Sequence, residues 1–299
     1  MRLLPLALLL AACDSFTPAS VIESLRVIAI RSDPAEVASG AEATLRSLVI
    51  DLDPAAAGRT ITYEWALCTK RPTAGYDVDP ACFDADTADF LVPLPALPGG
   101  TTKLTMPPHT VTDFGPPDST TGFYVPVRLR VRAGNAVVTA FHRLRWEAGF
   151  VPPNQNPTIA GISYIKTESD GQLPDMGQTV DVQPLPDDTM PPMPLQRGGK
   201  LRFRASDAPG SSEMYTALVG DPRDMKTATF TERVRFFWYS SAGKVSPDVT
   251  GEERPDTVLD TSKFDTSIDA RNGLVDLWLV GVDERGGVDW LHRQLELTR

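Results

Sequence analysis

The strongest constraint on the fold is that the chain repeats itself at an offset of 150 residues: FYVPVRLRVRAGNAVVTAFHRLRW (123–146) aligns with GLVDLWLVGVDERGGVDWLHRQLE (273–296). Val127, Leu129 and Val138 fall on Leu277, Leu279 and Val288, and His142-Arg143 falls on His292-Arg293. Apolar residues alternate with polar ones in both copies, so each predicts two half-buried strands. They turn at Ala133-Gly134-Asn135 in one copy and at Glu284-Arg285-Gly286-Gly287 in the other, giving two hairpins. The matched histidines predict one shared structural role at the end of the hairpin strand.

The repeat extends upstream. Each copy opens with an apolar strand, Val21 to Ile30 and Thr158 to Lys166. An alternating strand follows a glycine, Gly40 to Asp51 and Gly199 to Ala205, and then comes a strand bearing a tryptophan, TITYEWAL before Cys68 and RVRFFWYS around Trp238. A chain with 27 prolines, 22 glycines and few helix-periodic runs is expected to be built of strands and loops. This order, with a tryptophan on the third strand and a terminal hairpin, resembles an immunoglobulin-like or PKD-like β-sandwich. The resemblance implies an all-β protein of two tandem sandwiches, the first over 21–148 and the second, with long insertions, over 158–299. GFVPPNQNP (149–157) is a proline-rich linker expected to hold them at a restricted angle. The insertions are 69–118, 167–198 and 206–230, and Pro184 to Pro194 is expected to be extended and mobile.

The first thirteen residues point outside the cytoplasm. Arg2 is a charged start, Leu3 to Leu10 an apolar run, and Leu10-Ala11-Ala12-Cys13 resembles the lipobox of bacterial lipoproteins. The run is too short for a spanning helix, which needs about 20 residues. The resemblance implies removal of residues 1–12, a diacylglycerol thioether on Cys13 and an acylated amino group, with 13–20 as a tether. Asp14 resembles the signal that retains enteric lipoproteins on the inner membrane. A lipobox, an SDPAEV segment after the first strand and two sandwiches together resemble the surface lipoproteins common in myxobacteria, so the expected location is a cell envelope, facing the periplasm or the exterior.

Cysteine usage agrees with export. Once Cys13 is lipidated, Cys68 and Cys82 remain, an even number in an oxidising compartment, and they are expected to be bridged. Closing that loop stabilises a domain by about 3 kcal/mol on the chain-entropy model. The bridge lies outside the second-to-sixth-strand position of antibody domains, which favours a generic bacterial Ig-like domain.

Charge excludes nucleic acid. The formal charge is −10, and −11 once Arg2 is removed with the leader, whereas phosphate binding needs a basic field. Asp77, Asp79, Asp84, Asp86 and Asp89 crowd one loop and offer hard oxygen ligands for calcium, although the glycine and glutamate of an EF-hand are missing from the count. No other cofactor is expected. Arg128, Arg130 and Arg132 alternate with Val127, Leu129 and Val131, forming a basic stripe on one strand face that Arg143 and Arg145 extend. Such a row meets an anionic partner, or is a solvated face with glutamates opposite. Phe236 and Trp238 are expected in the core, leaving Phe237, Tyr239 and Trp290 as candidates for sugar stacking. His109, His142 and His292 are the only histidines, and no nucleophile elbow, HExxH, P-loop or dinucleotide fingerprint is present, so no catalytic residue is assigned. The expectation is a non-catalytic binding, adhesive or scaffolding protein, held to the membrane by lipid and meeting a protein or polysaccharide. The alternatives are a carbohydrate-recognition accessory and an extracytoplasmic hydrolase.

Overall fold

The computed structural model describes residues 18–54, 58–72, 77–84, 88–106, 117–120, 122–146, 152–165, 182–221, 223–262 and 273–298. The leader with Cys13, and also Asp86 and His109, lie outside the described residues. The fold is all-β. In the first half the strands are β1 (Arg26–Asp33), β2 (Glu36–Val37), β3 (Glu42–Ile50), β4 (Ile61–Cys68), β5 (Leu91–Leu94), β6 (Thr101–Thr105), β7 (Phe123–Ala133) and β8 (Ala136–Trp146), with one helical turn, α1 (Ala81–Asp84). They form a three-stranded sheet, β1-β3-β6, and a five-stranded sheet, β2-β8-β7-β4-β5. Ile30, Leu45 and Leu104 from the first sheet interleave with Trp65, Val127, Leu129 and Leu144 from the second in one core, which makes the pair a sandwich.

The second half repeats the plan. Its strands are β9 (Ile159–Ile165), β10 (Val182–Pro184), β11 (Met193–Gln196), β12 (Lys200–Asp207), β13 (Met214–Val219), β14 (Lys226–Thr231), β15 (Arg235–Ser240), β16 (Lys244–Ser246), β17 (Val249–Thr250), β18 (Asp256–Asp260), β19 (Leu274–Val282) and β20 (Val288–Thr298). Sheets β10-β9-β12-β18-β16 and β11-β20-β19-β15-β17 face each other across a core centred on Phe203, Trp238, Leu259 and Leu277. Trp238 is fully buried, and its indole N–H donates to Thr250 Oγ1 at 2.8 Å, satisfying the one polar atom such a core position carries.

The SDPAEV segment has a defined task. Proline has no N–H for the ladder, so β1 stops before Pro34 and the chain crosses to the opposite sheet, where β2 pairs in parallel with β8 (Glu36 opposite Arg145). The second half makes the same switch when β11 pairs in parallel with β20. Met193 and Leu195 of β11 are buried, so the end of the Pro184–Pro194 run, expected to be mobile, is core-building strand. The insertion 206–230 likewise holds most of a hairpin, β13–β14.

Both repeated hairpins form, but not in equivalent registers. Val127 lies opposite His142, whereas Leu277 lies opposite Arg293 and Trp278 opposite His292. Gly134-Asn135 closes the first turn and Asp283–Gly287 the second, and the extra residues shift pairing by one, which turns a strand over. His142 therefore points inward, bonded to Ser32 Oγ of β1 at 3.2 Å, while His292 points outward and packs its ring on Trp278. The shared role expected from their alignment is not what the fold builds.

Candidate functional site

The halves do not hang as beads from the linker. Ahead of β1, Ser20 to Ile22 pairs with the end of β15: Ile22 N donates to Ser240 O and Ser240 N to Ser20 O, both at 2.8 Å. Val21, Ile22 and Leu25 are buried. The expected opening strand, Val21 to Ile30, is thus split between the sandwiches. β1 then runs along the second one, and Val27 to Ile30 with Phe141 face Val280, Val282 and Val288 across an apolar seam holding a cleft of about 280 Å³. At the far end of β1, Arg31 pairs with Asp289 at 2.6 Å.

Buried polar groups close this joint. Arg145 on β8 is 98 % buried at its side chain and donates through Nε to Glu36 Oε2 (2.7 Å), through Nη1 to Asp118 Oδ2 (2.7 Å) and through Nη2 to Thr120 Oγ1 (2.6 Å). Burial alone would lower the pKa of this guanidinium, but Tyr124, Glu36 and Asp118 outweigh it and the pKa is raised. Burial in turn pushes the Tyr124 phenol up to about 12. A Cβ at Gly122 would fall on the Arg145 guanidinium, so only glycine fits there. Glu36 Oε2 also accepts from Asn154 N at 2.9 Å, which carries the network into the linker.

The second sandwich answers through the β19–β20 turn. Asn154 Nδ2 donates to Asp283, whose Oδ1 accepts from the backbone N–H groups of Arg285 (2.9 Å) and Gly287 (2.7 Å). Arg285 donates to Glu232 Oε1 (3.1 Å), Glu213 Oε2 (2.7 Å) and Pro152 O (3.0 Å). Two residues on, Asn156 donates to Ser32 O and accepts from Val288 N, joining the two halves through one side chain. Two carboxylates share one guanidinium here, and a third, Asp283, is held by the Arg285 backbone N–H. Burial, then the nearby Asp283 charge, pushes the Glu232 carboxyl up to about 7, and burial also raises the pKa of Asp283.

Beside the joint, β13 and β14 project as a two-stranded hairpin. Met214 is 71 % exposed and Met225 53 %, and Leu218, Val219 and Phe230 are exposed as well, a concentration of apolar surface on one element that marks interaction sites. Leu218 N donates to Ser119 O of the first sandwich, and Tyr215 stacks on Phe230 and lies over Arg285. Between the hairpin base and β15 is a cleft of about 650 Å³ lined by Asp207, Ser212, Glu232, Arg233, Phe236 and Glu252. Its size is in the range of small-molecule sites, and three acids against one base suit a cationic guest better than an anionic one.

The residues singled out from sequence fall elsewhere. Cys68 and Cys82 are bridged, with Cα atoms 6.2 Å apart, and α1, held by the bridge, covers Arg128, which is buried and donates to Cys82 O at 3.2 Å. Arg132 pairs with Glu64 at 2.9 Å, Arg143 with Asp77 at 3.2 Å, and Arg145 is the hub of the joint. Arg132 and Arg143 thus sit on a face with acids opposite, the second of the two expected readings, whereas Arg128 and Arg145 are buried under other elements and belong to no open stripe. Asp79 is buried, accepts from Ala81 N and pairs with Lys70 at 3.1 Å, while Asp84 and Asp89 are exposed. Asp77 and Asp79 are turned to separate partners, and among the described residues no group of three or more acidic, histidine or cysteine side chains is placed to hold a metal ion. Phe236 and Trp238 are in the core as expected, and Phe237, Tyr239 and Trp290 are half-buried.

Two histidines are described, and neither is set up as a base. His142 and Ser32 are hydrogen-bonded but both buried, and burial lowers the imidazole to about 4. His292 spends both ring nitrogens on carboxylates, Asp276 at 2.9 Å and Asp188 at 3.4 Å, and its hydrogen bond to Asp276 raises its pKa.

The joint residues Glu36, Asn154, Asn156, Glu232, Asp283 and Arg285 were not legible as a site. The only signal was two asparagines held between prolines in PPNQNP.

Fold and site together define an all-β protein of Ig-like sandwiches locked through a buried polar joint. No family model matches the chain, and no curated protein is similar to it in sequence. Among solved structures it is similar to murine CEACAM1b (10 % identity, TM-score 0.21, covering 90 % of this chain and 98 % of that one). It is also similar to the Yersinia pseudotuberculosis adhesin InvE (9 %, 0.19), of which it spans 60 %, and to Escherichia coli alpha-2-macroglobulin activated by porcine elastase (8 %, 0.22), of which it spans 22 %. TM-scores of that size carry no functional inference.

Proposed function

We propose that the protein is a lipid-anchored component of a bacterial cell envelope that binds a partner and performs no catalysis of its own. The observation that carries the binding half is the joint: two sandwiches linked through Asn154, Asn156 and the Arg31–Asp289 pair, each closed there by its own buried ion pair, with exposed apolar side chains gathered on the β13–β14 hairpin beside it. A buried ion pair adds little net stability but holds one geometry against alternatives when its partners are fully satisfied, and a fixed geometry is what a presentation surface needs. The anchor half rests on the lipobox-like Leu10-Ala11-Ala12-Cys13. Several acyl chains hold a protein on a bilayer far more firmly than one, since each buried methylene contributes about 0.8 kcal/mol.

The test is intact mass and detergent partitioning of the protein expressed in a bacterium, wild type beside Cys13→Ala. The expected wild type lacks residues 1–12, carries the mass of acyl chains and enters the detergent phase, while the variant stays aqueous. Two soluble proteins cut at another position would end this reading.

A further inference from the structure

We propose that the free edge of β14 pairs with the β14 of a second copy of this chain, joining two hairpins into one continuous sheet. The inference rests on the binding half of the reading above and names the partner that the hairpin meets. It begins with the direction of backbone groups. Past the end of β14, Glu232 N donates to Glu213 O at 2.8 Å, continuing the β13–β14 ladder. In an antiparallel pair such groups alternate, so Ala228 and Phe230 turn theirs to β13, while Thr227, Thr229 and Thr231 turn theirs away. β13 obeys the same alternation: Leu218 N points outward and is taken by Ser119 O at 2.7 Å. Nothing among the described residues takes the outward N–H groups of the three threonines, and all three are exposed.

The remaining sheet edges among the described residues are protected in ways that oppose strand addition. β2 and β17 are two residues long, and β10 and β16 are three, with a proline at or just after the end, Pro184 and Pro247. β5 and β11 carry Pro93 and Pro194, β6 has the exposed Lys103 at its centre, and β1 lies along the second sandwich. Among these edges β14 alone offers six residues with no proline, and its one charge, Lys226, is at the start. The strand KTATFT is also self-complementary. A two-fold axis through Thr229 sets Thr227 opposite Thr231 and Ala228 opposite Phe230. Every outward N–H and C=O of both strands is then bonded, threonine meets threonine, and the large ring sits beside the small methyl. The same register sets Lys226 opposite the acidic position 232 rather than opposite its own copy, so no like charges face each other across the pair. A pairing of this length buries on the order of several hundred Å², short of the roughly 1,200 Å² of a stable interface. The dimer is therefore weak, with a dissociation constant of about 100 µM.

The test is sedimentation of the Cys13→Ala chain over a range of concentrations, alone and with Thr229→Pro. Proline at 229 removes only an N–H that faces away from β13, a setting in which an edge strand accepts it. The weight-average mass of the Cys13→Ala chain is expected to rise about 1.4-fold between roughly 10 and 200 µM, and that of the proline variant to stay at one chain. Thr229→Cys in the Cys13→Ala chain gives a readout that does not depend on the proline variant folding, since Cys68 and Cys82 are bridged and the new thiol is the only free one. Across the two-fold axis its Cα atoms come about 5.5 Å apart, within disulfide range, whereas those of Thr216→Cys, the residue opposite it on β13, stay about 14 Å apart. Oxidation is expected to cross-link two chains at 229 and not at 216. A mass that stays at one chain at every concentration, or cross-linking no greater at 229 than at 216, overturns the pairing. Either result leaves the anchored binding reading standing, because that reading fails only on its own test of mass and detergent partitioning.

Discussion

At the scale of single residues the joint is a problem in charge. Glu232 is 1 % exposed and shares Arg285 with Glu213, with Asp283 close by. Its carboxyl is pushed from 4.5 to about 7, so the folded state holds the proton more tightly than the unfolded chain does. Stability from that proton is complete below pH 4.5 and is lost as pH rises through 7. His142 works in the other direction: kept neutral by burial until about pH 4, it stabilises the fold above pH 6.5 and withdraws that support as pH falls. Glu232→Gln keeps an acceptor for Arg285 and removes the first titration. Its melting temperature is expected to exceed that of wild type at pH 8 and to match it near pH 4.5, as thermal unfolding followed by circular dichroism across pH will show. An unchanged pH profile would mean that Glu232 is ionised at no cost. None of this was legible from thirty-nine acids in a row of letters, because the perturbation comes from neighbours that folding delivers from the linker, β14 and a distant turn. Arg145 shows the same gap: by alternation it belongs to a surface stripe, yet it is buried because Glu36, Asp118, Thr120 and Tyr124 close around its guanidinium.

At the scale of elements, period and punctuation carried most of the fold. The tryptophan strands, the strands after Gly40 and Gly199 and both terminal hairpins lie within a few residues of where alternation placed them, since burial on one face dictates period two. What alternation does not encode is the length of a turn in three dimensions. Two residues close β7–β8 and five close β19–β20, so identical letters at His142 and His292 face opposite ways. Strand β1 was misjudged for a related reason: Val21 to Ile30 reads as one apolar run, yet its first part is apolar because it packs on the other sandwich. The bridge between Cys68 and Cys82 pins α1 over Arg128. Reduction is therefore expected to lower the unfolding free energy by about 3 kcal/mol, the value for a closed loop of about 15 residues. Denaturant titration with and without reductant measures this, and an unchanged midpoint would show that the bridge adds nothing to stability.

At the scale of the whole molecule, the two-sandwich plan was readable from the internal repeat, whereas the way the sandwiches sit together was not. A proline-rich linker suggests a hinge of fixed angle between separate bodies. The structure instead lays β1 along the second sandwich, threads Ser20 to Ile22 onto β15 and seals the top with Asn154 and Asn156. Contacts between residues far apart in sequence, made by side chains with no periodic signature, leave no trace in a single chain. The measurement that reaches this arrangement most directly is small-angle X-ray scattering of the Cys13→Ala protein, free of lipid, beside Asn154→Ala/Asn156→Ala. A chain of this length packed as one body is expected to give a radius of gyration of roughly 19 Å, with the paired substitutions broadening the distance distribution. A wild-type value several ångströms larger, with two separate maxima in the distance distribution, would contradict the locked pair.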